Sequence, residues 1–242
     1  MIPKANFLKG KNAIVTGGSR GIGYSIAEAL LRAGANVLIC GLHQESVDQA
    51  VASLTQFATE GTSKVAGTTA DVAKPTDVLK LFDRATELWE GVDIVVNNAG
   101  IGIFKKTGDL TIEDWQAVIG TNLNGAFYCA KLAIEAFRKR GAGYLINISS
   151  LAGKNAFASG AAYNASKFGM NGMSEAMMLD HRAEGIKVSY IMPGSVSTDF
   201  GRAGKADWKI APEDVADIVM MLLSMPKRTL VSRVEVRPSI PG

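Results

Sequence analysis

The chain has 242 residues, room for one large α/β unit or two small ones, and its 47% apolar content supports a sizeable core. A formal net charge of +3, with the basic residues scattered, leaves no nucleic-acid footprint. Two cysteines build no disulfide framework, and His43 and His181 are too few and too far apart for a metal site, so no metal is expected.

Residues 1–11 lack a leader-like apolar stretch, and no run reaches about 18 apolar residues. A cytoplasmic protein without a membrane span is the expectation. In chain order, β-branched runs at 13–16, 36–40, 64–70, 94–97, 144–149, 187–192 and 233–236 read as strands. Between them apolar residues recur at helical spacing: Ile26, Ala27, Leu30 and Leu31, then Val47, Val51, Leu54 and Ala58, then Val78, Leu81, Phe82 and Ala85. The run at 94–97 is too apolar for a sheet with one wet face. Alternation without a break predicts an α/β fold in a single domain over 1–242: a Rossmann-type, doubly wound, mainly seven-stranded parallel sheet with helices on both faces.

Helix boundaries carry their own chemistry. Thr111 followed by Asp114 predicts a capping box, and Pro212 with Glu213 and Asp214 suits a first helical turn. Arg138, Lys139 and Arg140 close a helical pattern before Gly141, where cations complement the helix dipole. Cys40 and Cys129 lie in apolar patterns and are expected as buried thiols.

In such a sheet ligands bind beyond the carboxyl ends of the strands, so motifs there carry the most information. The first predicted strand runs into Thr16-Gly17-Gly18-Ser19-Arg20-Gly21-Ile22-Gly23 and then a helix. Glycines permit a tight turn and a close backbone approach, and the helix N-terminus offers unpaired N–H groups to an anion such as a pyrophosphate. The spacing is G-x-x-x-G-x-G, with Gly17, Gly21 and Gly23 as its key positions. Asn97-Asn98-Ala99-Gly100 follows the fourth strand, and Pro193-Gly194-Ser195-Val196-Ser197-Thr198 follows the sixth. Structural bridging is the default reading of Asn97 and Asn98.

Ser150 precedes Tyr163 by thirteen positions, and Lys167 follows Tyr163 by one helical turn, so phenol and ammonium share a helix face. A tyrosine ionises near pH ~10, and proton transfer near neutrality needs a shift of about 3 units, roughly 4 kcal/mol. One positive charge about 4 Å away supplies about that much at an effective dielectric near 20. Lys167 is therefore expected to lower the Tyr163 pKa.

Together these motifs, with Asn122, resemble the short-chain dehydrogenase/reductase family from about residue 9 to 225, in the 3-oxoacyl-carrier-protein-reductase-like branch. The resemblance implies a nicotinamide cofactor and reversible hydride transfer between a carbonyl and an alcohol. It assigns Tyr163 as acid/base, Lys167 to the pKa of Tyr163 and to the nicotinamide ribose, Ser150 to polarising the carbonyl, and Asn122 to anchoring a relay water. Ser149 and Asn124 fall out of register. The cofactor would be held by Gly17, Ser19, Arg20, Gly21, Ile22 and Gly23, by Asp71 and Val72, by Asn98, Ala99 and Gly100, by Tyr163 and Lys167, and by Pro193, Gly194, Val196 and Thr198.

The second strand ends Gly41-Leu42-His43 without the carboxylate that NAD enzymes of this fold usually place there, and Arg20 lies in the glycine turn. NADP is expected in preference to NAD. Phe104, Leu151, Phe157, Phe200 and Trp208 would line an apolar substrate site, beside a short substrate loop near 199–211 made mobile by Gly201 and Gly204. Carrier-protein binding has a mixed signature: Arg140 matches one basic position, but Glu184 stands at the other, with Arg182 close. The ending 231–238 replaces the family's usual glycine-rich segment, so a homotetramer or dimer is expected with its geometry open. Two other readings remain: a cofactor-binding regulator, which would lack part of the Ser-Tyr-Lys set, and an epimerase or dehydratase with tightly held NAD, which usually needs a longer substrate domain.

Overall fold

A computed structural model of the chain describes residues 6–59, 61–200 and 206–240. Its seven strands are β1 (Asn12–Thr16), β2 (Asn36–Gly41), β3 (Val65–Thr69), β4 (Ile94–Asn97), β5 (Gly143–Ile148), β6 (Ile186–Pro193) and β7 (Arg233–Val236). They form one parallel sheet in the order β3-β2-β1-β4-β5-β6-β7. Seven helices connect them: α1 (Gly21–Arg32), α2 (Gln44–Thr55), α3 (Pro75–Trp89), α4 (Ile112–Ile119), α5 (Gly125–Arg140), α6 (Ala161–His181) and α7 (Pro212–Ser224). The strand order reverses between β1 and β4, which opens a crevice at their carboxyl ends.

Both faces of the sheet are covered, and strand parity decides which core a side chain joins. Ala13, Val15, Val37, Ile39 and Val96 pack under α1, α2 and α7, while Ile14, Leu38, Val95 and Leu145 pack under α3, α5 and α6. Each fully buried Ile, Leu or Val contributes about 1.5–3 kcal/mol by leaving water. This two-sided burial is why β4 is apolar at every central position. β3 is shorter than expected and half-exposed, as befits the sheet edge. β5 stops at Ile148, one residue before the expected end, and the Ser149 amide makes a last bond to Ile191 O at 2.7 Å before Ser150 leaves the sheet.

The boundary chemistry works as read. Thr111 Oγ1 accepts from the Asp114 amide at 3.1 Å and Asp114 Oδ2 accepts from the Thr111 amide at 3.2 Å, closing the capping box of α4. At α7, Asp214 Oδ2 accepts from the Ala211 amide at 2.8 Å, ahead of Pro212 in the first turn. Gly141 ends α5 at φ +73°, a left-handed conformation that glycine adopts without strain.

The cations ending α5 do more than face a dipole. Arg138 makes two hydrogen bonds to Glu184, at 2.6 and 3.0 Å. Arg140 Nη2 binds both oxygens of Asp93 at 3.1 Å, and Lys11 Nζ binds Asp93 Oδ1 at 3.0 Å. The Asn12 amide donates to Asp93 Oδ2 at 3.0 Å, so this carboxylate ties the amino ends of β1 and β4 to α5. Burial acts to raise its pKa, but the Asn12 amide, Lys11 and Arg140 outweigh it and hold the carboxyl below the usual carboxylate range.

Candidate active site

The glycine turn leaves β1 and enters α1 with Gly17 at φ +64° and Gly21 at φ +55°. A side chain on Gly23 would place its Cβ 2.3 Å from the Gly17 carbonyl oxygen, so nothing larger than hydrogen fits. No side chain caps the first turn of α1, whose N-cap is Arg20. The Gly18 amide is taken by Cys40 O at 3.0 Å, but the uncapped first-turn amides of α1 make a backbone cradle that fits an anionic phosphate group. Ser19 Oγ would lie 3.2 Å from a Cβ on Gly41, placing it beside the end of β2.

Thr16 and Asn98 bind the crevice walls together. Thr16 Oγ1 accepts from the amides of Asn98 and Ala99, both at 3.0 Å, and Asn98 Nδ2 donates to the carbonyls of Thr16 at 2.9 Å and Gly17 at 3.1 Å. Asn97 Nδ2 bridges Ala126 O at 3.0 Å and Asn147 Oδ1 at 2.9 Å. The structural reading of both asparagines stands. Asp71 accepts from the Ala73 amide at 3.0 Å and faces Lys74 at 3.6 Å, while Val72 is buried next to Gly125.

After β6, Gly194 N donates to Val236 O at 2.8 Å, which seats the Pro193 turn on β7. The Thr198 methyl would lie 3.3 Å from a Cβ on Gly21, so this turn closes over the glycine cradle. The expected mobility of 199–211 is only part of the picture: Ser197 N donates to Ile210 O at 2.8 Å, Ile210 N donates to Ser195 O at 3.0 Å, and Val196 bridges Ile210. These bonds pin residues 206–210 to the turn. Gly201 and Gly204, on which the expectation rested, lie outside the described residues.

Ser150, Tyr163 and Lys167 meet at the carboxyl end of β5. Ser150 Oγ donates to Pro193 O at 3.5 Å and accepts from the Ala152 amide at 3.1 Å, on the side of the Tyr163 phenol, whose ionised form it favours. Ser149 points elsewhere, donating to Asn171 Oδ1 at 2.5 Å. Lys167 Nζ lies 5.7 Å from the centre of the Tyr163 ring and donates to Ile148 O at 2.9 Å.

The electrostatics correct the simple expectation for this pair. Burial raises the Tyr163 pKa above its ordinary value, and the Ser150 hydroxyl pulls it back only in part. Burial also pushes the Lys167 ammonium down to about 8. In a site this dry both charged forms lose hydration, so the protein alone keeps the phenol protonated at neutral pH.

Asn122 is fully buried within a π-helical turn, Gly120–Asn124, between α4 and α5. Such turns recur at functional sites because they displace a side chain from the regular helix surface. Its Oδ1 accepts from Ile101 N at 2.8 Å, and both Nδ2 protons are used, by Ile101 O at 2.9 Å and Ser166 Oγ at 3.1 Å. Ser166 in turn donates to Tyr163 O at 2.7 Å. The Asn122 side chain therefore braces the Tyr163 helix against the loop after β4, and its amide protons are not free for a relay water.

Three residues absent from the sequence-level site emerge here. Ser166 connects Asn122 to Tyr163, and Thr16 locks the β1 and β4 ends together. Asn171, one turn beyond Lys167, takes the Ser149 hydroxyl and donates to Gly153 O at 3.0 Å, holding the loop that presents Ser150. Its i+4 spacing from Lys167 was the available signal. Among the described residues no cluster of His, Cys, Asp or Glu could hold a metal ion, and Cys40 and Cys129 are buried.

The fold and this residue set define an oxidoreductase, and comparison with known proteins bears that out. The short chain dehydrogenase family model matches residues 11–208. An uncharacterized oxidoreductase of Staphylococcus aureus is 32% identical over 96% of this chain and 98% of its own length. A 3alpha-hydroxysteroid dehydrogenase of Mediterraneibacter gnavus is 31% identical, over 90% of this chain and 91% of its own. Among solved structures, the alcohol dehydrogenase of the archaeon Thermococcus sibiricus, complexed with 5-hydroxy-NADP, superposes with a TM-score of 0.87 at 26% identity, covering 96% of this chain and 99% of that one. A metagenomic short-chain oxidoreductase in complex with NADP gives 0.84 at 31% identity, covering 97% and 99%. This chain belongs to the short-chain dehydrogenase/reductase family. It is an enzyme acting on CH–OH or C=O groups.

Proposed function

We propose that this protein is an NADP-preferring carbonyl reductase, reversible toward secondary alcohols, with Tyr163 as its acid/base. The observation that carries the reading is the convergence of Ser150, a Tyr163 phenol that burial keeps protonated, and Lys167 on the same helix face at the carboxyl end of β5. A protonated phenol is the form that donates to a carbonyl oxygen, so the site is poised for reduction.

A bound nicotinamide would supply the hydride. The residues that would hold it are Gly17, Ser19, Arg20, Gly21, Ile22 and Gly23 on the phosphates, Asp71 and Val72 on the adenine, and Asn98, Ala99 and Gly100 along the crevice. Pro193, Gly194, Val196 and Thr198 would hold the carboxamide, and Lys167 the ribose. The first-turn amides of α1, which no side chain caps, and the tight packing of Gly17 and Gly23 against Asn98 support that fit.

Ser150 would hydrogen-bond the carbonyl oxygen as negative charge develops there. Tyr163 would deliver the proton to that oxygen. Lys167, held at Ile148 O, would supply positive potential that eases loss of the phenolic proton. Asn122 and Ser166 would keep the Tyr163 backbone in place. For Tyr163→Phe the expected result is a loss of kcat of about 1000-fold or more with cofactor Kd changed less than about 3-fold. A variant that keeps wild-type kcat overturns the assignment.

The NADP preference rests on Gly41, Leu42 and His43, which put no carboxylate at the end of β2, and on exposed Arg20 in the glycine turn. Two similar solved proteins carry NADP or a derivative of it. Measured kcat/KM should be higher with NADPH than with NADH, and Arg20→Ala should narrow the gap. A higher value with NADH refutes this.

We further propose a homo-oligomer, since Phe127, Phe168 and Leu179 leave an apolar face of α5 and α6 exposed. Carrier-protein delivery is less well supported, because Arg138 is engaged by Glu184 and Arg140 by Asp93.

A further inference from the structure

The ring of Tyr163 stands among three phenylalanines from separate segments: Phe104 from the loop after β4, Phe157 from the connection between β5 and α6, and Phe200 from the loop after β6. Their ring centres lie 5.6, 6.4 and 5.8 Å from that of Tyr163, and Phe104 lies 5.7 Å from Phe157. The interplanar angles run from 48° to 72°, so the rings meet edge to face or tilted rather than stacked. Such arrangements turn positive ring edges toward negative ring faces, and they accept a further flat ring on the same terms.

The wall is built. A Cβ on Gly102 would come 2.6 Å from Phe104 Cζ and 3.1 Å from Phe200 Cζ, and a Cβ on Gly160 would come 2.7 Å from Phe157 Cε2, so two glycines act as sockets for the rings. Asn164, next to Tyr163, donates to Phe157 O at 3.2 Å and holds that loop to α6. Yet Phe157 and Phe200 remain 46% and 43% exposed beside the reacting hydroxyl. Apolar surface left open next to a proton donor is what a ligand would cover.

Charge points the same way. Lys105, which follows Phe104, is bound to Asp114 at 2.5 Å, and Lys154, near Phe157, is bound to Glu235 at 2.6 Å. Both cations are already paired within the protein.

Resting on the carbonyl-reductase reading above, we propose that the substrate is a ketone borne on or directly beside a flat hydrophobic ring, and that Phe104, Phe157 and Phe200 select it over open-chain acyl thioesters. The carbonyl oxygen meets Ser150 and Tyr163, and the adjoining ring lies against the exposed surfaces of Phe157 and Phe200. An open chain offers no aromatic face or edge to these rings and loses more rotational freedom on binding.

The test is kcat/KM with saturating NADPH for 1-tetralone, 2-decanone and the acetoacetyl thioester of N-acetylcysteamine. The ring ketone should exceed each of the others by about 10-fold or more. Phe157→Ala and the better packed Phe157→Leu should both cut that ratio by about 5-fold or more, with circular dichroism confirming that each is folded. Equal or better turnover of the thioester or the open-chain ketone overturns the proposal, as does an unchanged ratio in a folded variant. If no carbonyl is reduced although NADPH binds, the carbonyl-reductase reading has failed instead. Calorimetric binding of 1-tetralone against 2-decanone to the protein with NADP+ then decides the ring preference by itself, and equal affinities sink it.

Discussion

Replacing Lys167 with methionine should make the protein more stable at neutral pH while destroying its activity. The lysine is 4% exposed, and its ammonium is held at about 8 against an ordinary 10.5, for which burial alone is responsible. At 1.36 kcal/mol per pH unit, carrying that charge into the core costs the folded state about 3 kcal/mol at pH 7. Methionine has a similar length and no charge. It forfeits the bond from Nζ to Ile148 O at 2.9 Å, which returns about 1 kcal/mol of the gain. The expected net stabilisation is about 2 kcal/mol, or about 4–8 °C in Tm for a chain of this size.

The sign with pH follows from the depressed pKa. Between about 8 and 10.5 the unfolded chain holds the lysine proton and the folded protein does not, so wild-type stability rises with pH through that window. By pH 10 the charge penalty shrinks to about 1 kcal/mol and cancels against the lost hydrogen bond, closing the gap between the two proteins. Urea unfolding of both at pH 7 and pH 10 measures this, and groups common to both proteins cancel in the comparison. A methionine variant no more stable than wild type at pH 7, or a gap that persists at pH 10, refutes the reasoning.

Gly23→Ala would force a Cβ to within 2.3 Å of Gly17 O and 2.4 Å of Asn98 Nδ2, so nucleotide affinity should fall about 10-fold or more in a fluorescence titration. Gly108→Ala, which meets nothing within 4 Å, serves as the control and should bind as wild type. Asp93→Asn removes the carboxylate that Lys11 and Arg140 share, and should cost about 1–3 kcal/mol at pH 7 by urea unfolding. Because the Asp93 pKa is lowered from 3.8, its contribution is present above that value and is lost as pH falls through the lower folded one. The deficit of the variant should therefore narrow in acid, and a constant deficit down to pH 2 would contradict this account.

Much of the sheet was legible in the residues because two-sided burial writes itself as unbroken apolar runs, and Ile94–Asn97 is the clearest of them. The glycine cradle was equally legible, since a Cβ at Gly23 would fall 2.3 Å from Gly17 O and no other residue fits there. Asn122 could be picked out by resemblance, but its bonds to Ile101 and Ser166 could not, because they join segments 21 and 44 positions apart. Asn171 was passed over, and Thr16 was read only as the head of the glycine turn, for the same reason. Their side chains are ordinary by composition and acquire a role only through partners brought in by the fold.

The order of strands and helices, the glycine turn and the Ser150, Tyr163 and Lys167 spacing are determined by the sequence alone, since each depends on local periodicity or on one helical turn. The tertiary structure decided the state of that site and its walls. Burial, a property of the whole packed molecule, raises the phenol of Tyr163 and weakens the Lys167 ammonium, reversing what a pair of charges in isolation predicts. Packing likewise gathers Phe104, Phe157 and Phe200 around Tyr163 from positions up to 96 residues apart, and only a folded chain can bring such distant side chains to one hydroxyl.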